Sequence, residues 1–300
     1  MVLSIRNIAA FFVSSYYIIT GKTEKVKKQA ANGDFILSVY FHDPSKKLFE
    51  STVKWFLKHG YHFISVETLN DILRHQKPFP SAAVVLTADD GWKGNKENIA
   101  EVANRYKIPV TIFASTNPIE TGEAYWWSYI DHAHKAGIIR ESVGALKKVP
   151  NDERIKIVEE VKAKLPLQRE ALTIQELQSI AAGNYVSIGS HTVTHPILTT
   201  CSDEKAAKEI IEAKHTIQNW LQKDVKYFAY PNGMYTSREI NILKDSGYQA
   251  AFSTIPDYIK PGTDTRDALY SIPRFDVLES VSFAENICRM TGIWFNRKAV

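Results

Sequence analysis

The chain has 300 residues, 44% of them hydrophobic, which is ample for one large core, and its 23% of charged residues is the soluble-globular norm. A formal net charge of +4, with no basic strip interleaved with aromatics, excludes the usual nucleic-acid pattern, so no nucleic-acid partner is expected. Two cysteines, Cys201 and Cys288, exclude a cysteine-rich zinc site and a disulfide framework; they read as buried thiols in a reducing compartment, which favours a cytoplasmic over a secreted or periplasmic protein.

In chain order, the first feature is a 12-residue uncharged run, Ile8 to Ile19, between Arg6 and a cluster of Lys22, Lys25, Lys27 and Lys28. A membrane span needs about 20 apolar residues, so this run is too short to cross a bilayer. Three readings stay open: an amphipathic helix packed on the core, a helix lying at a membrane surface with its aromatics beside the lysines, or a secretory signal, although no small-residue cleavage site follows. Residues 1–34 are expected to be a helical extension, with any peripheral membrane contact made through residues 6–28.

From residue 35 onward, short β-branched or aromatic runs alternate with longer amphipathic stretches. Strands are expected at Phe35–Phe41, His62–Val66, Ala82–Ala88, Val110–Ser115, Val186–Ser190, Tyr227–Tyr230, Ala250–Thr254 and Tyr270–Phe275. Several are nearly continuous apolar runs, as strands buried on both faces are. Helices are expected at Lys46–His59, Thr68–His75, Gly94–Tyr106, Thr173–Ala182, Ser202–Gln222, Ser237–Ser246 and Ser280–Met290. In the clearest, Ala207, Ile210, Ile211, Ile217 and Leu221 fall on one stripe, and Asp203 and Glu204 suit its first turn. Gly60, Gly183 and Gly247 stand where C-terminal caps belong. The alternation predicts an α/β fold. No G-x-G-x-x-G follows a strand and there is no P-loop, so a closed or partly closed barrel is favoured over a dinucleotide-binding sheet. The long, mostly helical stretch from Thr116 to Asn184 is expected to be an insertion across one face of the barrel.

In such folds catalytic groups gather where strands end. One strand runs into Asp89-Asp90-Gly91, and adjacent carboxylates at a buried strand end need pairing or a metal; an ordinary surface turn is the alternative. Another runs into His191-Thr192-Val193-Thr194-His195-Pro196. Histidines four apart can meet one ion if the segment turns helically, and zinc accepts both imidazole nitrogens and carboxylate oxygens; two loop histidines are the alternative. A third runs through Phe228-Ala229-Tyr230 into Pro231-Asn232-Gly233, a tight turn whose exposed N–H groups suit an oxyanion.

Together these motifs resemble those of the polysaccharide deacetylases, the NodB-homology group or carbohydrate esterase family 4. Thr87-Ala88-Asp89-Asp90-Gly91 is similar to the family's Thr-Phe-Asp-Asp-Gly, His191 to His195 to its His-Ser/Thr-x-x-His, and Tyr230 to Gly233 to part of its third motif. The resemblance covers roughly residues 35–277 and implies a distorted (β/α)7 barrel. It implies Asp89 as general base, Asp90, His191 and His195 as ligands of a divalent metal (zinc first, with cobalt, nickel or manganese as alternatives), and the Asn232 N–H as oxyanion donor. Ala88 replaces the usual phenylalanine. The arginine that usually precedes the third motif's proline is absent, and Arg274 is the candidate to replace it. The late Leu-x-His motif that supplies the general acid is missing, since no histidine follows His215. His42, in Val39-Tyr40-Phe41-His42-Asp43, fits the circularly permuted subgroup in which that histidine comes early; a structural strand-end histidine is the alternative. His59, His62, His75, His132, His134 and His215 read as packed or solvated. The aromatic stretch from Tyr125 to Tyr129, with Trp126 and Trp127, is either core or a sugar-stacking surface.

The resemblance thus implies removal of N-acetyl groups from a carbohydrate (polymer, oligosaccharide or lipid-linked) by attack of a metal-bound water. A sugar O-acetyl esterase and a silent carbohydrate-binding barrel are the rival readings.

Overall fold

A run such as Ala82 to Leu86 offers no polar side chain to turn towards water, so it is stable only when both faces are covered. The computed structural model, which describes residues 4–262 and 267–295, covers it within eight strands: β1 (Leu37–Phe41), β2 (His62–Phe63), β3 (Ala83–Ala88), β4 (Val110–Ala114), β5 (Val186–Ser190), β6 (Tyr227–Ala229), β7 (Ala250–Phe252) and β8 (Phe275–Asp276). Strands β1, β3 and β4 are buried at every position. These eight strands pair with one another in parallel, in the order β7-β6-β5-β4-β3-β1-β8, with β2 against β3 off this path. The sheet curls until its ends meet, where a single parallel bridge joins Phe252 to Ile272. Pro273 follows and has no N–H to donate, which breaks the ladder there. The expected distorted α/β barrel is therefore what forms, with β7 to β8 as its weak seam.

Two helices precede the barrel, α1 (Ile5–Ile19) and α2 (Lys22–Ala31). Around it run α3 (Lys46–Lys58), α4 (Val66–Leu73) and α5 (Glu101–Tyr106), the last entered through a π-helical turn at Lys96–Ala100. Between β4 and β5 come α6 (Thr116–Thr121), α7 (Trp126–Lys135), α8 (Val143–Leu146), α9 (Asn151–Lys162) and α10 (Ile174–Ala181); α11 (Asp203–Leu221), α12 (Ser237–Asp245) and α13 (Phe283–Met290) complete the chain. The β4–β5 stretch has a small core of its own, in which Trp126, Tyr129 and Ile130 of α7 meet Leu146 and, from α9, Val158 and Val161.

Several elements differ from their expected extents. The strand expected over His62–Val66 stops at Phe63, because the Ser65 hydroxyl accepts from Thr68 N at 3.0 Å and caps α4. In the Tyr270–Phe275 stretch, Ala268–Tyr270 forms a 3-10 turn and only Phe275–Asp276 pairs as strand. Gly60 and Gly247 take the left-handed conformation of a helix cap at φ +78° and +73°, whereas Gly183 lies outside that region. The buried seam of α11 is Ala206, Glu209, Ile210, Ala213 and Ile217, rotated from the expected stripe so that Ile211 faces out and Glu209 faces in. The reason is polar: Glu209 has backbone donors to satisfy beneath it.

Candidate active site

Parallel pairing puts the C-terminal ends of the strands at one rim, and the residues beyond them line a cavity of about 330 Å³. His42 follows β1, Asp89 and Asp90 follow β3, His191 and His195 follow β5, and Asn232 follows β6. Trp126, Trp127, Val143 and Lys147 reach in from the β4–β5 stretch. Four of the eight non-glycine residues with positive φ among the described residues are Asp90, Thr192, His195 and Asn232. Left-handed backbone at such residues is costly, and its concentration here marks a site whose geometry the surrounding structure enforces.

The two aspartates face different partners. Asp89 is buried, and Arg274 grips it with both ends of its guanidinium, Nη1 to Oδ1 and Nη2 to Oδ2, each at 2.8 Å. Arg274 is fully buried inside the barrel, donating also to Thr87 Oγ1 at 3.0 Å and, from Nε, to the Ser253 carbonyl at 2.9 Å, with the Tyr40 ring 4.4 Å away. It stands just before β8, not at its end. Burial raises the Asp89 pKa, but the Arg274 charge, then His191, more than offset it and hold the carboxyl below its ordinary value.

Asp90 turns the other way. Its Oδ2 accepts from Trp92 Nε1 at 2.8 Å, while its buried Oδ1 takes no hydrogen bond in the usual geometry and lies 3.4 Å from His191 Nε2 and 3.3 Å from His195 Nε2. These three side chains, all buried, bring donor atoms within 4.8 Å of one another. His191 Nδ1 donates to the Ala229 carbonyl at 2.7 Å, so in the neutral ring Nε2 carries the lone pair. A carboxylate oxygen and an imidazole lone pair turned on one point call for a cation between them, and a two-histidine, one-carboxylate set fits a divalent ion of the zinc type. A proton is the competitor. Burial lowers the His191 pKa, but Asp90 and Asp89 outweigh it and leave the ring more basic than usual; at His195 burial prevails and the pKa is lowered.

The segment between the histidines does not turn helically. Thr192 and His195 are left-handed, and the loop is held by Glu209 of α11, which accepts from Val193 N at 2.9 Å, Thr194 N at 2.8 Å and Thr194 Oγ1 at 2.6 Å. Trp126 Nε1 donates to the His195 carbonyl at 3.0 Å, and the Trp127 ring meets the His195 ring edge-on at 4.5 Å. Of the aromatic stretch, Tyr125 and Tyr129 are core, Trp126 is buried at the cavity's edge, and Trp127 is the half-buried ring that walls the cavity. Asn232 sits exposed in its turn at φ +57°, its Oδ1 accepting from Lys147 Nζ at 2.7 Å. Burial pushes the Lys147 ammonium below its ordinary value, against the pull of Asp90. His42 is exposed at the rim, its ring 5.5 Å from that of Tyr40. Sequence reasoning missed Trp92, Lys147 and Glu209. Trp92 had a signal, standing directly after Asp-Asp-Gly; the other two had none, since each is one charge among many on a helical stretch.

Residues 76–251 match the family model described as polysaccharide deacetylase, more than half of the chain. The chain belongs to the polysaccharide deacetylase family. Within that family it is 22% identical over 238 residues to YxkH of Bacillus subtilis (strain 168), covering 79% of this chain but only 66% of the relative's length. It is 23% identical over 265 residues to the poly-beta-1,6-N-acetyl-D-glucosamine N-deacetylase of Staphylococcus aureus (strain MSSA476), covering 85% of this chain and 77% of that one. The deacetylase barrel is shared with solved structures: the Streptococcus pyogenes deacetylase PplD (TM-score 0.63, 18% identity, 86% of this chain and 98% of that one) and IcaB from Ammonifex degensii (TM-score 0.62, 16% identity, 86% and 97%).

Proposed function

We propose that this deacetylase-family member is a metal-dependent hydrolase that removes N-acetyl groups from a carbohydrate. One observation carries the reading: the Asp90, His191 and His195 donors and the Arg274-bound carboxylate of Asp89 line the same cavity. The name of the Staphylococcus aureus relative, a poly-N-acetylglucosamine N-deacetylase, favours an N-acetylated sugar.

In this reading Asp90, His191 and His195 hold the ion; zinc suits the donors best, and cobalt, nickel and manganese take the same set. When bound, the metal polarises the acyl oxygen and makes a water acidic enough to be deprotonated near neutral pH. Asp89 accepts that proton. Its depressed pKa makes it a weak base but keeps it ionised near neutral pH, and Arg274 fixes both of its oxygens while leaving each a further lone pair. The Asn232 N–H, in a turn that only positive φ allows, is the donor assigned to the oxyanion. His42 gives a proton to the departing nitrogen, and Trp127 offers a wall for the sugar ring. We take residues 35–300 as the catalytic barrel, of which 263–266 and 296–300 lie outside the described residues, with 116–184 roofing the cavity.

Divalent-metal content of the purified chain, beside His191→Ala, tests the metal site, and acetate release from N-acetylglucosamine oligomers against O-acetylated sugars tests the substrate. About one ion per chain, lost in the variant, together with acetate from the N-acetyl substrate, is the expected result. Acetate from O-acetyl sugars alone replaces the amidase with an esterase. A chain that binds no zinc or cobalt when supplied leaves a silent carbohydrate-binding barrel.

A further inference from the structure

Helix α1 is amphipathic in the wrong sense for a helix that seals a core. Its buried face is Asn7, Ala10 and Ser14, while Ile5, Ile8, Phe12, Tyr16 and Ile19 form an outward stripe at three- and four-residue spacing, exposed by 90, 45, 65, 63 and 84%. The inner face is pinned. Arg6 donates to both oxygens of Glu285 at 2.8 and 2.7 Å, Asn7 Nδ2 donates to the Ser280 carbonyl at 3.1 Å, and the Cys288 thiol lies 3.7 Å from the Ser14 carbonyl. Rotating the stripe inward would break those contacts and press bulky side chains where alanine and serine now fit, so its exposure is built into the packing.

The stripe runs along a convex helix about 22 Å long, and no charged side chain interrupts it between Arg6 and Lys22. Gly21, at φ +80°, then turns the chain into α2. There Lys22, Lys25, Lys27 and Lys28 stand against one carboxylate, Glu24, with Lys25 and Lys28 exposed and Lys22 4.2 Å over the Tyr17 ring. A contiguous apolar surface of this kind calls for a cover. A protein partner would account for the stripe and leave the lysines unexplained. A bilayer with anionic headgroups answers both at once, through apolar insertion at the headgroup–acyl boundary and lysine–phosphate attraction.

We propose that α1 and α2 form an interfacial anchor that seats this chain on an anionic phospholipid surface, with the stripe from Ile5 to Ile19 immersed and the α2 lysines on the phosphates. The anchor also orients the molecule. Asn7 is bonded to Ser280 in the segment that leaves β8, and the Ala82 N–H, just before β3, donates to the Ala30 carbonyl near the end of α2, so the anchor lies along the barrel wall between its two rims and sets that wall on the membrane. The inference goes beyond the hydrolase reading and stands without it.

Vesicle flotation of the full chain tests it, on liposomes of phosphatidylcholine alone and on liposomes with roughly one quarter phosphatidylglycerol. The expected result is flotation with the anionic vesicles and a partition lower by about tenfold or more on neutral vesicles, in high salt, or for Lys25→Glu/Lys28→Glu. Phe12→Glu, whose side chain points to solvent, is expected to lose binding by about tenfold or more with its thermal melt unchanged; Ile19→Ser serves in its place should that variant melt early. A wild-type chain that stays with the soluble fraction overturns the proposal, as does flotation that Phe12→Glu and Ile19→Ser leave intact. So does a lipid-free dimer that Phe12→Glu converts to monomer, which would show a second copy covering the face.

Discussion

Asp89 and Asp90 are adjacent in sequence and opposite in chemistry, because residue 90 takes a left-handed φ of +75° and turns the second carboxylate away from the first. Asp89→Asn should therefore retain the metal and lose turnover by about a hundredfold or more, read as acetate release beside metal content; near-wild-type hydrolysis would remove Asp89 from the role of base. The same pair makes a stability prediction. The folded pKa of Asp89 is depressed, so its ionic contribution is fully present above the unfolded value of about 3.9 and is lost as pH falls through the folded value. The urea-stability gap between wild type and Asp89→Asn should be flat from neutral pH to about pH 5 and shrink below it. Arg274→Met leaves a buried carboxylate without its counter-ion, and should cost about 3–5 kcal/mol in urea unfolding. A loss below about 1 kcal/mol would mean that water replaces the guanidinium.

The elements that matter most for the site are those that hold its loops. Helix α11 contributes no side chain to the cavity, yet its Glu209 carries three hydrogen bonds from residues 193 and 194 and so sets where His195 sits. Glu209→Ala should weaken zinc binding by about 10–100-fold in chelator competition, while substitution of Glu212, exposed on the same helix, leaves it unchanged. Element types were legible from periodicity, as β1, β3, β4 and β5 illustrate. Their ends were not. Ser65 converts the expected tail of β2 into a cap, and Pro273 reduces β8 to two residues, both being local hydrogen-bond facts that a hydrophobic pattern does not carry. Helix α11 shows the converse: periodicity alone puts Ile211 on the buried stripe, because the inward role of Glu209 depends on a loop some 15 residues away.

At the scale of the molecule, a divalent ion in the proposed site would compete with protons for His191 and His195. The raised pKa of His191 means that the proton is held more tightly than by a free imidazole, so zinc affinity should begin to fall on acidification already above the ordinary imidazole value of about 6.5, by roughly tenfold per pH unit once His191 is protonated, with His195, whose pKa burial lowers, adding its proton only at lower pH; zinc titration against pH measures this. The thiols belong to the core. Burial pushes both Cys201 and Cys288 up to about 11, so neither should react with a maleimide near neutral pH until the chain is unfolded; prompt labelling of the native protein would show a looser interior than the barrel implies.

The stretch that matches the family model, residues 76–251, holds Asp89, Asp90, His191, His195 and Asn232 but neither His42 nor Arg274. The sequence by itself determined the α/β alternation and the Asp-Asp-Gly and His-x-x-x-His motifs, because strand burial and donor chemistry are written in short contiguous runs. That Arg274 lies against Asp89, 185 residues away, that Trp127 and Lys147 fold over the cavity, and that α1 turns its apolar face outward were decided only by tertiary structure. Each depends on which surfaces meet when the barrel closes, and closure is a property of the whole ring of strands.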